Sequence, residues 1–270
     1  MSDWNPLPNL SAIRLSGPDA TVFAHSQFTT AFDQPGEPGW GLTAWCNPKG
    51  RAIAVILARR HEQGVDLIVP AGQSQQLTRQ LGMYAIGRKV EFQHTTQVQG
   101  CMDREDDGDQ TLRPDQSRAL RLIENDSVAA DPGFIERWRQ RDLAAGITWL
   151  DTGSSGRFLP QALGLEERGG LSYRKGCFPG QEVIARVHYL GKAKEQLAGF
   201  RLKGSVDCSE QDLLDEQDQR VGSVVDAMPI NGSTIGLAVV RADRESGLAV
   251  RCLDHDGVLC APELLMTTNS

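Results

Sequence analysis

The chain has no run of roughly 18 apolar residues of the kind that crosses a bilayer, no C-x-x-C pair and no excess of positive charge. These absences exclude a helical membrane span, a zinc ribbon or preassembled cluster-ligand motif, and a strongly basic nucleic-acid binder. Lys and Arg number 28 against 35 Asp and Glu, a net charge of −7. Aromatics are sparse at 6%, yet 40% hydrophobic and 23% charged residues make an ordinary globular mixture, and 270 residues suffice for two modest domains. The start, Met1-Ser2-Asp3-Trp4-Asn5-Pro6, lacks the basic and apolar segments of a signal peptide, so the expected location is cytoplasmic. In that reducing setting the six cysteines (Cys46, Cys101, Cys177, Cys208, Cys252 and Cys260) are expected as free thiols, mostly packed as small apolar side chains.

What is present reads as an α+β chain. A short strand at Leu10 to Leu15 is followed by Ser16-Gly17-Pro18-Asp19, a stop and a helix start. The spacing predicts a helix from Pro18 to Phe32 with Val22, Phe23, Ser26 and Thr30 on one face. Extended runs at Arg51 to Ala58 and Val65 to Val69, a helix over Gly72 to Ala85 and a strand at Lys89 to Phe92 complete a split βαβ, ferredoxin-like order. Asp103 to Asp115 reads as an exposed acidic loop, and Asp131-Pro132-Gly133 opens a helix carrying Phe134, Ile135 and Trp138. From Leu197, apolar runs separated by Gly, Asp and Asn turns predict a small antiparallel β-barrel. The expected division is residues 1–195 and 196–270.

The most unusual stretch runs from Lys175-Gly176-Cys177-Phe178-Pro179-Gly180-Gln181-Glu182 to Arg186-Val187-His188-Tyr189-Leu190-Gly191. Two glycines and a proline in five residues enforce a tight loop, and the breaker-free residues after it predict about two helical turns. Cys177 then lies just ahead of a helix amino terminus beside Arg174 and Lys175, an electropositive setting suited to thiol chemistry. The bland alternatives remain a packing cysteine and, for Glu182 and Arg186 at i, i+4, a solvated helix pair. His188 has no partner at triad-like spacing and reads as a surface or structural residue. The G-x-x-x-x-G-K-[ST] phosphate loop is absent.

This run resembles the K-G-C-[YF]-x-G-Q-E-x-x-x-R signature of the YgfZ-type folate-binding proteins, relatives of the glycine-cleavage aminomethyltransferase that support iron–sulfur protein maturation. Phe158-Leu159-Pro160-Gln161, Gly169-Gly170-Leu171-Ser172-Tyr173, Cys46-Asn47-Pro48-Lys49-Gly50-Arg51 and Leu15-Ser16-Gly17-Pro18-Asp19-Ala20 resemble further family runs, so the likeness covers essentially the whole chain. It implies a ring-like aminomethyltransferase-type region with a central folate-binding hole and a carboxy-terminal barrel. It further implies tetrahydrofolate or a derivative as cofactor, and Trp138, Lys175, Gln181, Glu182 and Arg186 about that cofactor. Trp138 would stack on the pterin, an ordinary core aromatic being the alternative. The thiol of Cys177 would do the chemistry. No metal-ligand set is expected, and the implied partners are iron–sulfur client or assembly proteins, including enzymes that thiomethylate tRNA, with neither a membrane nor stable nucleic-acid binding.

The departures separate the competing functions. In the aminomethyltransferases the R-x-E-x-G run supplies a folate-holding glutamate; here Asp142-Leu143-Ala144-Ala145-Gly146 puts Ala144 in its place, which can neither accept a hydrogen bond nor carry charge. The family's G-Q-x-T-x-D run becomes Ser26-Gln27-Phe28-Thr29-Thr30-Ala31, and Phe178 replaces the commoner tyrosine. A folate-binding accessory protein for cluster enzymes is therefore favoured over a folate-dependent one-carbon transferase. Direct tRNA binding ranks last, since the chain is acidic and lacks a basic stretch with interleaved aromatics.

Overall fold

The computed structural model describes residues 4–34, 36–94, 97–103, 108–124, 128–191 and 193–266. In chain order these form β1 (Asn5–Pro6), β2 (Leu10–Ser16), α1 (Ala20–Gln27), β3 (Gly41–Cys46), β4 (Ala52–His61), β5 (Gly64–Pro70), α2 (Ser74–Tyr84), β6 (Glu91–Gln93), β7 (Gln97–Cys101) and β8 (Ala119–Ile123). Then come α3 (Pro132–Ala144), α4 (Gln181–Leu190), β9 (Glu195–Lys203), β10 (Asp212–Leu214), β11 (Arg220–Ile230), β12 (Ser233–Arg241), β13 (Ala249–Cys252) and β14 (His255–Cys260).

The central sheet has the order β3-β4-β5-β2-β6. Strand β2 runs antiparallel to both β5 and β6, so β5, α2 and β6 form a split βαβ unit with β2 inserted. Period-two alternation divides this sheet between two cores. Ile13, Leu15, Ile56, Ala58, Leu67 and Val69 face α1 and α2, where Phe23, Ala24, Leu77 and Leu81 cover them. Leu10, Ala12, Leu42, Val55, Leu57 and Ile68 face the other way, onto Trp138 of α3, Phe158, Ile184 of α4 and Val225 and Val239 of the barrel. A three-stranded sheet β1-β7-β8 closes this second core, and β9 to β14 form a closed barrel.

Several expectations shift in detail. The first helix ends at Gln27 because Phe28 turns extended (φ −102°, ψ 163°) and bridges to Trp45. Its buried face is Ala20, Phe23, Ala24 and Gln27, whereas Val22, which the spacing placed on one face with Phe23, is 58% exposed. Strands β1, β3, β7, β8 and β10 are additional to those read from the sequence. The acidic loop is bounded by β7 and β8, with residues 104–107 outside the described set. The helix opened by Asp131 starts as expected, its carboxylate accepting from the Gly133 N–H at 2.9 Å with Pro132 in the first turn. Among the described residues no helix is long and apolar enough to cross a membrane.

Candidate functional site

The Cys177 loop is braced from four directions by residues distant in sequence. Gly180, in the left-handed region at φ +78°, caps α4, and a Cβ there would lie 2.5 Å from Gly50 Cα and 2.6 Å from the Asn47 carbonyl oxygen. Gly50 (φ +75°) is likewise pressed against Val183 and Ile184. The turn that presents Gly50 is held by Asn47, whose Oδ1 accepts from the N–H groups of Lys49 at 2.9 Å and Arg51 at 3.0 Å. Gln161 Nε2 donates to the Ile184 carbonyl on α4 at 2.8 Å, and the Ala52 N–H donates to the Phe158 carbonyl at 2.8 Å. The Thr29 hydroxyl donates to the Gly170 carbonyl at 2.7 Å. The runs Cys46–Arg51, Phe158–Gln161, Gly169–Tyr173 and Lys175–Arg186 thus meet as one unit.

Lys175 is buried, and its ammonium donates to the carbonyls of His25, in the last turn of α1, and of Phe28 and, at 3.0 Å, Thr30, just beyond that helix. All three N–H donors are therefore spent on the backbone. Burial lowers its pKa to about 7, with Asp33 opposing. Phe178 is buried with its ring 4.8 Å from Lys175 Nζ, and Gln181 Nε2 donates back to the Lys175 carbonyl at 3.4 Å. Between these anchors Cys177 is exposed, while Cys46, Cys101, Cys208 and Cys252 are buried and Cys260 is half-buried. His25 stands beside the loop, its Nε2 3.6 Å from where a Cβ on Gly176 would be; burial first and Lys175 second lower its pKa, with Asp33 opposing.

The other expected site residues separate. Glu182 and Arg186 are exposed on α4, and among the described residues no ion pair joins them. Arg186 lines a groove of about 1110 Å³ between α4 and the barrel. Trp138 is 1% exposed, stacked on Phe134 (centroids 6.0 Å apart) with the Arg118 guanidinium 4.5 Å from its ring; these are the surroundings of a core aromatic. His188 has a partner after all, distant in sequence: its Nδ1 lies 2.7 Å from Glu166 Oε1 and its ring stacks on Tyr173 at 3.8 Å.

A second feature was not read from the sequence. Where the central sheet, α3 and the barrel meet, a cavity of about 340 Å³ is lined by Leu10, Pro70, Ile135, Arg139, Trp149 and Asp226 among others. A β-bulge between Val224 and Asp226 interrupts the β11–β12 register at this point. Arg139 Nη2 donates to Asp226 Oδ1 at 2.9 Å, and burial raises the Asp226 carboxyl to about 6 against that pairing. The only sequence signal was an acid inside the apolar strand run Val221 to Met228. Ala144, at the position of the expected glutamate, packs beside the apolar group Leu143, Met228 and Leu237.

No family model matches the chain. The glycine cleavage system aminomethyltransferase T from Bartonella henselae superposes with a TM-score of 0.70 at 12% identity, covering 96% of this chain and 84% of that one. The fold is therefore of the aminomethyltransferase type. A YgfZ tRNA-modifying protein of an Enterobacter species is 26% identical over 300 aligned positions, covering 96% of this chain and 90% of that protein. Its counterpart in Yersinia enterocolitica is 33% identical over 150 positions, covering 53% of this chain and 45% of that protein. An uncharacterized Haemophilus influenzae protein is 28% identical over 275 positions, covering 96% of each. Within the aminomethyltransferase class, these relatives bear out the resemblance to the YgfZ-type proteins.

Proposed function

We propose that this chain is a folate-binding accessory protein that supports the assembly or repair of iron–sulfur clusters in client enzymes, including those that thiomethylate tRNA, through the Cys177 loop. The observation that carries the reading is the exposed thiol of Cys177 on a loop fixed by Lys175, Gly50, Gly180 and Gln161, while four of the other cysteines are buried and Cys260 is half-buried. A cluster needs about four protein ligands, and among the described residues no group of His, Cys, Asp or Glu could hold a metal. Cys177 therefore serves as a single thiol contact to a cluster carried by the partner.

The cavity between sheet, α3 and barrel is the seat proposed for the folate. Its donor set fits a pterin. Trp149 and Ile135 supply apolar wall, and Asp226, paired through Oδ1 with Arg139 and also accepting a backbone hydrogen bond from Ala227, places its carboxyl in the lining as an acceptor for the amino group and ring N–H of the pterin. The barrel thus offers a carboxyl that Ala144 cannot. At about 340 Å³ the space holds the ring system, with the glutamate tail leaving through the mouth. Lys175, with its donors already used, braces the loop instead of reaching the ligand, and Trp138 belongs to the wall behind.

The loop's part is tested by complementation. In cells lacking their own YgfZ-type protein, Cys177→Ala is expected to accumulate as a folded protein yet leave tRNA thiomethylation as low as in cells with no copy. Full restoration by that variant would remove Cys177 from the account.

A further inference from the structure

We propose that a separate cavity, at the opposite end of the central sheet from the folate seat, binds a small carboxylate-bearing molecule through Arg60. The folate seat adjoins Leu10 and Pro70, which pair with each other across β2 and β5; this cavity lies beyond the other end, where His61 pairs with Gly64. It has a volume of about 500 Å³, and its lining includes Phe32, Ala58, Arg60, Arg113, Leu171 and Ser172.

Consecutive strand residues point to opposite faces, and β4 ends in two arginines with different fates. Arg59 is engaged through its two terminal nitrogens, although its Nε, like that of Arg60, is buried without an acceptor. It pairs with the buried Asp66 at 3.2 Å, donates to the Asp109 carbonyl at 3.1 Å and lies 4.5 Å over the ring of Trp40. Arg60, on the other face, has no hydrogen-bond or ion-pair partner among the described residues, and its Nε is buried without an acceptor. An arginine in that state needs an explanation, since a buried donor without a partner is costly.

The second guanidinium is held in place by the fold. Arg113 lies so close over Gly41 that a Cβ there would be 1.4 Å from its Nη2. Its segment is tied to the Trp40 backbone by Trp40 N–H to the Thr111 carbonyl (2.8 Å) and Arg113 N–H to the Trp40 carbonyl (2.9 Å). Its sole ion pair among the described residues is a 3.5 Å contact to Glu37, whose side chain is 83% exposed. A weakly committed fork therefore lines the same cavity as an uncommitted one, with Phe32 and Leu171 as apolar wall and Ser172 as a polar contact. Planar guanidinium forks match a carboxylate two bonds at a time, and the apolar wall favours an acid with a compact hydrocarbon body over a bare ion.

Calorimetric titration of the full chain with benzoate and, separately, with inorganic phosphate tests this. Benzoate is expected to bind the wild type and to lose about tenfold or more in affinity in Arg60→Gln, with an unchanged melting temperature. Arg113→Gln is expected to weaken binding as well. Equal benzoate binding by wild type and Arg60→Gln, or no binding at all, would overturn the assignment; binding of phosphate but not benzoate would overturn the ligand class. None of these outcomes depends on whether folate binds at the other end of the sheet.

Discussion

Lys175 and Gly180 both anchor the Cys177 loop, and only one of them was legible in advance. The crowding of glycine and proline in Gly176 to Gly180 announced a tight turn, and Gly180 is indeed left-handed. Nothing local tells which carbonyls Lys175 will meet, because they lie about 145 to 150 positions earlier in the chain. Adding one methyl in Gly180→Ala forces Cβ to 2.5 Å from Gly50 Cα in a conformation that L side chains rarely adopt. This substitution is expected to destabilise the protein by about 1–3 kcal/mol and to speed alkylation of Cys177, read by urea unfolding and iodoacetamide labelling. Trp138 matched the family's folate-associated tryptophan by its place on the helix, but tertiary packing decided its surroundings. Trp138→Ala should cost about 3–5 kcal/mol in urea unfolding, the loss typical of a large aromatic in a core.

At the level of elements, α4 and the barrel strands were readable because their patterns are local: a breaker-free run after Gly180, and short apolar runs between turns. Strand β3 escaped notice because Gly41-Leu42-Thr43-Ala44-Trp45-Cys46 is buried throughout and shows no alternation to mark a sheet. The Arg139–Asp226 contact between α3 and β11 was equally hidden, as its members stand 87 positions apart. It makes a pH prediction. Burial raises Asp226 from the ordinary 3.8 to about 6. The folded state therefore holds this proton more tightly than the unfolded chain. The group's contribution to stability is full below 3.8 and is lost as pH rises through about 6. In Asp226→Asn that downward component should vanish, so urea midpoints measured across this interval should fall less steeply with pH than in the wild type.

Across the whole molecule, the sheet, α3 and the barrel line one cavity while four distant runs converge to fix one exposed thiol, and the cavity walls and the Cys177 loop share one packed core. The sequence resemblance led to the loop residue by residue; the cavity's chemistry was out of reach because Asp226, Arg139 and Trp149 become neighbours only when the barrel docks. The measurement that tests the account most directly is a titration of the purified protein with tetrahydrofolate under reducing conditions, followed by tryptophan fluorescence, in wild type and Asp226→Asn. Saturable binding by the wild type, weakened about tenfold or more when the carboxyl becomes an amide, is the predicted result. No saturable change in the wild type, or equal affinity in both proteins, would contradict a folate seat at this junction.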